Sequence, residues 1–136
     1  MRVLAVDFGD ARTGIAVSDL TGTLAGEAWV IHEKNVQNAA RTIVSEAASR
    51  DVSKIVVGYP KNMNGTVGPR AEKSEALAEL IRNLTDIEVV LWDERMTTMS
   101  AHRILDNAGR YGKKRKQTVD AVAASLILES YLGVKK

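Results

Sequence analysis

Three acids stand out by residue type and position: Asp7, Glu94 and Asp120. Asp7 interrupts the apolar run Val3-Leu4-Ala5-Val6, and charged side chains are rarely buried without a partner. Glu94 lies in Asp93-Glu94-Arg95, directly after the apolar run from Ile87 to Trp92. Asp120 heads a stripe of Asp120, Ala123, Ala124 and Ile127 at helical spacing, which should turn inward. Asp7 and Asp120, each alone, have an ordinary explanation. Asp7 could be a strand-end carboxylate turned to water or capping the turn at Gly9. Asp120 could compensate a helix dipole, an effect of about 0.3–1 kcal/mol. Gathered at one place, however, three carboxylates repel and cannot all ionise cheaply without a compensating cation. Cysteine is absent and the two histidines, His32 and His102, have no ligand spacing. The ligands would then all be oxygen, which favours Mg²⁺ or Mn²⁺ over Zn²⁺. Two such ions, roughly 3.5–4 Å apart, are the usual device for in-line displacement at phosphorus.

A second feature is charge. The net charge is only +2, but Arg110, Lys113, Lys114, Arg115 and Lys116 put five cations into seven residues. The rest of the chain is then net −3, an acidic body with one basic loop ahead of Asp120. Such a stretch is either a solvated surface or the contact for an anionic partner, and a phosphate backbone would be drawn by it towards the acids. Arg12, in the turn after Asp7, and Arg95, next to Glu94, extend the candidate nucleic-acid-binding set. Aromatics make up only 4% of the chain, so base stacking cannot dominate such a surface.

The elements must place the acids together. Residues 2–8 fit a buried strand, and Gly9-Asp10-Ala11-Arg12-Thr13-Gly14 a turn with glycine at each end. Residues 15–18 and 24–32 follow as strands two and three, with Trp29 and Ile31 on one face, which completes an antiparallel meander. Val36, Ala39, Ala40, Ile43, Val44 and Ala47 then fall at helical spacing, with Asn35 as N-cap. Lys54 to Tyr59 reads as strand four, stopped by Pro60. After a loop, Pro69 suits the first turn of a helix burying Leu77, Leu80, Ile81 and Leu84. Residues 87–92 form strand five. A helix capped by Thr97 or Thr98 runs to about Ala108, and a last one from Val119 to about Leu132 is capped by Thr118 and ended by Gly133. The order β-β-β-α-β-α-β-α-α predicts an α/β fold: a mixed five-stranded sheet with strands 1, 4 and 5 parallel and helices on both faces. Functional groups then collect at the carboxyl ends of the parallel strands.

The chain has 136 residues, 45% hydrophobic and 26% charged. That suits one globular domain, 1–136, with no disordered tract. The lack of cysteine fits a reducing cytoplasm. No apolar run approaches the ~18 residues of a membrane helix, so no membrane partner is expected.

The run Asp7-Phe8-Gly9-Asp10-Ala11-Arg12-Thr13-Gly14-Ile15-Ala16-Val17-Ser18-Asp19 resembles the N-terminal signature of the YqgF (RuvX) family. These are the pre-16S rRNA nucleases, also called Holliday-junction-resolvase-like proteins. Further matches follow in order: Gly58-Tyr59-Pro60 with Met63-Asn64-Gly65, Gly68-Pro69-Arg70-Ala71, Asp93-Glu94-Arg95-Met96-Thr97-Thr98, and Asp120 with Ala123-Ala124 and Ile127-Leu128. The resemblance spans essentially the whole chain. It implies an RNase H-like fold and metal-dependent phosphodiester cleavage in 5′-end maturation of 16S rRNA. It also implies that Asp7, Glu94 and Asp120 are the catalytic acids and metal ligands. Tyr59 and Asn64 differ from the usual leucine and aspartate. Lys61 and Asn62 stand where junction resolvases of the superfamily carry an acid, which argues against junction-specific cleavage. Three other readings stay open at this stage: a non-catalytic RNA-binding assembly factor, a resolvase acting on branched DNA, and a sugar-kinase-like ATPase half that would need a homodimer.

Overall fold

Val3 and Ala5 pack to one side of the first strand, Leu4 and Val6 to the other, and all four are fully buried. An apolar run of this kind needs cover on both faces, and the computed structural model supplies it. It describes residues 1–22, 25–62, 64–94 and 112–135. The elements in order are β1 (Arg2–Asp7), β2 (Arg12–Ser18), β3 (Ala25–His32), α1 (Val36–Ser49), β4 (Val52–Tyr59), α2 (Pro69–Leu84), β5 (Glu88–Asp93) and α3 (Gly112–Lys135). The strands form one sheet in the order β3-β2-β1-β4-β5. β1–β2 and β2–β3 pair antiparallel, β1–β4 and β4–β5 parallel, as the element order predicts.

One core packs α1 and α2 against Leu4, Val6, Ile15, Val17, Ile55 and Val57. Trp29 and Ile31 join it from β3. On the opposite face Ala124, Ile127, Leu128, Tyr131 and Leu132 of α3 cover Val3, Ala5, Ala16 and Val56. Their spacing is that of a helical stripe, and Asp120 lies one turn before Ala124 on it. Trp92 locks α3 to β5: its ring meets Tyr131 edge-on at 5.3 Å, and its Nε1 donates to Ser130 Oγ at 3.1 Å. The expected caps hold for the first two helices. Asn35 Oδ1 accepts from the Asn38 N–H at 3.0 Å, and Pro69 opens α2.

Four sequence expectations are corrected. β2 starts at Arg12, so Arg12, Thr13 and Gly14 belong to the strand and pair with His32, Ile31 and Val30. Leu84, expected in the core, is 47% exposed at the end of α2. The last helix begins at Gly112, so Thr118 is not its cap and Lys113–Lys116 lie in its first turns. Lys, Arg and Gln are good helix formers, and a run of them that reads as a solvated loop also sustains a helix. Gly133 does not end α3, which continues to Lys135. The helix expected over 97–108, with Arg95 and Arg110, lies outside the described residues.

Candidate active site at the sheet edge

Asp7 closes β1, the central strand, and has a glycine beside it on each neighbour. In the antiparallel register Asp7 faces Gly14 of β2. In the parallel register Val6 faces Val57, which brings Gly58 of β4 alongside Asp7. The missing side chains make room for the backbone at Asp120 and for the Glu94 carboxyl. A Cβ on Gly14 would stand 2.0 Å from the Asp120 carbonyl oxygen, so α3 rests its backbone directly on β2 at this point. A Cβ on Gly58 would stand 3.0 Å from the Glu94 carboxyl carbon and 2.7 Å from Ile127 Cδ1. Strand parity completes the arrangement. Asp7 shares the face of Val3 and Ala5, and Glu94 that of Val90 and Trp92, which is the face α3 covers.

The carboxyl groups are strained as anions. Burial pushes Asp7 up to about 6 from an ordinary 3.8, and the Asp120 charge adds to the rise while Arg70 opposes it. Glu94 is pushed up to about 7, again by burial first, with Asp7 and Asp93 adding and Arg70 opposing. Burial also raises Asp120, against the charges of Arg12 and His32. Asp7 is therefore the common neighbour of both other acids. Arg12 Nε lies 3.1 Å from Asp120 Oδ2, an ion pair that holds that carboxylate. Among the described residues, no three His, Cys, Asp or Glu side chains are gathered tightly enough to hold a metal ion as they stand.

Sequence comparison bears directly on this edge. Residues 1–134 match the family described as RuvX: Holliday junction resolvase. The chain belongs to the RuvX family. Relatives from Bacillus thuringiensis (strain Al Hakam) and Bacillus anthracis (strain CDC 684 / NRRL 3495), provisionally named pre-16S rRNA nucleases, are each 45% identical over 99% of this chain and 100% of their own length. Among solved structures, Thermus thermophilus RuvC in complex with a Holliday junction substrate superposes with a TM-score of 0.67 at 10% identity, over 100% of this chain and 97% of that one. Fowlpox virus resolvase with Holliday junction DNA gives 0.62 at 15% identity, over 99% of each chain. These likenesses establish the shared fold, the RNase H-like sheet with helices on both faces.

In this RuvX member the acids read from the sequence fall at one sheet edge, and the basic residues divide. Lys113, Lys114, Arg115 and Lys116 sit on the first turns of α3, ahead of Asp120. Arg12, expected as a nucleic-acid contact, is ion-paired with Asp120. Three residues with roles here escaped residue-by-residue reading. Gly14 reads as the end of a turn, and Gly58 as an ordinary member of strand four. An isolated glycine within a strand is the available signal, because it marks close approach of another group. Arg70, on the first turn of α2, lowers both Asp7 and Glu94 by its charge. Nothing in its local sequence announces that role.

Proposed function

We propose that this RuvX chain is a divalent-metal-dependent nuclease that cleaves phosphodiester bonds of RNA, with Asp7, Glu94 and Asp120 as its acidic centre. One observation carries the reading: of the two glycine gaps beside Asp7, one takes the α3 backbone at Asp120 and the other the Glu94 carboxyl, which brings both residues to the end of β1. Asp7 and Glu94 are largely buried and Asp120 partly so, and Asp7 is repelled by Asp120 and repels Glu94, which costs free energy in a cation-free protein. The donor set fits a hard cation such as Mg²⁺ or Mn²⁺: all-oxygen ligands with raised affinities for protons. Asp7, Glu94 and Asp120 would hold it. A bound divalent ion supplies charge neutralisation at the phosphate and an acidified water. Asp7, with its neighbours, would set where that charge is held. Arg70 lessens the repulsion among the acids and offers a positive group to the incoming phosphate. Arg12 positions Asp120. The basic first turns of α3 supply sequence-independent attraction for the backbone.

The names of the 45% identical relatives support a precursor of 16S rRNA as substrate and a cytoplasmic site of action. No helix among the described residues is long and apolar enough to cross a membrane. The deciding experiment is cleavage of a precursor spanning the 5′ end of 16S rRNA, and of a DNA of the same sequence, with Mg²⁺, with Mn²⁺ and with EDTA. Metal-dependent cutting that Asp120→Asn abolishes while binding persists is the expected result. Binding with no metal-dependent cutting by the parent protein would replace this reading with that of an assembly factor.

A further inference from the structure

Phe8 follows Asp7 directly but leans to the other side of the sheet, against the α1–α2 core. There it lines two adjoining pockets. The first, about 260 Å³, has an apolar floor of Phe8, Val36 and Ala76, with Lys34, Lys73 and Asp10 around it. The second, about 200 Å³, is bounded by Phe8, Gly9, Asp10, Arg70 and Lys73. They share Phe8, Asp10 and Lys73, so they form one two-part groove. Asp10 accepts from Lys73 Nζ at 2.8 Å, which fixes that ammonium where the parts meet. Lys34, Lys73 and Arg70 against the single acid Asp10 leave the groove cationic. Arg70 links it to the acids, since its charge also acts on Asp7 and Glu94.

The pairing of an apolar slot with a cationic one matches a base next to its phosphate. The slot is smaller than the ~300–1,000 Å³ of sites for drug-sized ligands, which suits one ring system. Phe8 offers an aromatic surface, and base–aromatic contact tolerates any base because each has a π-face. We propose that the apolar pocket of Phe8, Val36 and Ala76 seats one unpaired base of the substrate strand, with its neighbouring phosphate at Arg70 and Lys73. The protein then favours single-stranded nucleic acid, because a base in a duplex must first be unpaired and unstacked, at a cost of a few kcal/mol, to enter. This rests on the nucleic-acid reading above, and adds a specificity subsite on the sheet face opposite the acids.

The test uses binding, so it does not depend on cleavage. A six-nucleotide RNA and the same backbone without bases are titrated in Ca²⁺ against the parent, Ala76→Leu and Ala76→Ser. Residue 76 is an exposed helical position, so both variants should fold, which thermal unfolding checks. The parent should prefer the intact RNA by about five-fold or more, the lower end of what one base–aromatic contact contributes. Leu fills the slot and should remove about that factor, while Ser leaves the slot open and should keep it. Binding of the abasic strand should be equal in all three. An unchanged preference in Ala76→Leu overturns the base seat, as does failure of the parent to distinguish the two strands. If the preference behaves as expected but the precursor is never cut, the nuclease reading fails and the base seat stands.

Discussion

Replacing Asp7 by asparagine should make the metal-free protein more stable, and the size of the effect follows from its burial. An ionised Asp7 is disfavoured in the folded state because its carboxyl is pushed up to about 6 from 3.8. At 1.36 kcal/mol per pH unit, that is about 3 kcal/mol of destabilisation once the group ionises. The sign follows from linkage. A carboxyl raised in the folded state holds its proton longer there than in the unfolded chain. The associated stability is fully present below about pH 4 and is lost as the pH rises through about 6. Glu94, raised to about 7, extends the same loss to higher pH. Asp7→Asn removes the first penalty and relieves part of the second. A buried amide needs partners of its own and gives back about 1–2 kcal/mol. A net gain of about 1–2 kcal/mol at pH 8 remains, or roughly 3–7 °C in melting temperature for a domain of this size. The assay is thermal unfolding by circular dichroism in EDTA from pH 4 to 8, repeated with excess Mg²⁺ or Mn²⁺. Near pH 4 the gain should disappear and turn into a loss of about 1–2 kcal/mol, because there only the cost of the buried amide remains. With metal present the order should reverse, because only the parent gains from binding. An Asp7→Asn protein no more stable than the parent at pH 8 in EDTA would refute the account of a repelling buried cluster.

Three further outcomes are expected. Gly14→Ala puts a Cβ 2.0 Å from a backbone oxygen of Asp120, where no side-chain rotation can relieve the clash. Its urea midpoint should fall by the equivalent of about 3 kcal/mol or more. Gly58→Ala meets only the ends of Ile127 and Glu94, which can move, so stability should drop by about 1 kcal/mol while cleavage falls far more through displacement of Glu94. Converting Lys113, Lys114, Arg115 and Lys116 to alanine should weaken RNA binding and lower the slope of log affinity against log salt by about 0.7 for each phosphate that the protein no longer neutralises. An unchanged slope would make the start of α3 a solvated surface only.

The sequence by itself determined the sheet, the three candidate acids and the start of α1 and of α2. Doubly covered strands need continuous apolar runs, as in Val3 to Val6, and helices need the stripe that Ala39, Ala40, Ile43 and Ala47 provide. Local patterns of this kind are written within a few consecutive residues. An acid breaking such a pattern, as Asp7 does, is visible for the same reason. The start of α3 was not legible, because Lys113 to Lys116 suit a loop and a helix equally and local chemistry does not choose between them. Only the tertiary structure decided what fills the space beside Asp7. Gly14 and Gly58 gain their meaning from residues about 106 and 36 positions away, Asp120 and Glu94. Arg70 acts on the acids because α2 begins near the end of β1, and Phe8 faces a different pocket from Asp7 because successive side chains alternate across a strand. Proximity between distant segments is set by how strands register and helices pack, and no single segment of the chain encodes it.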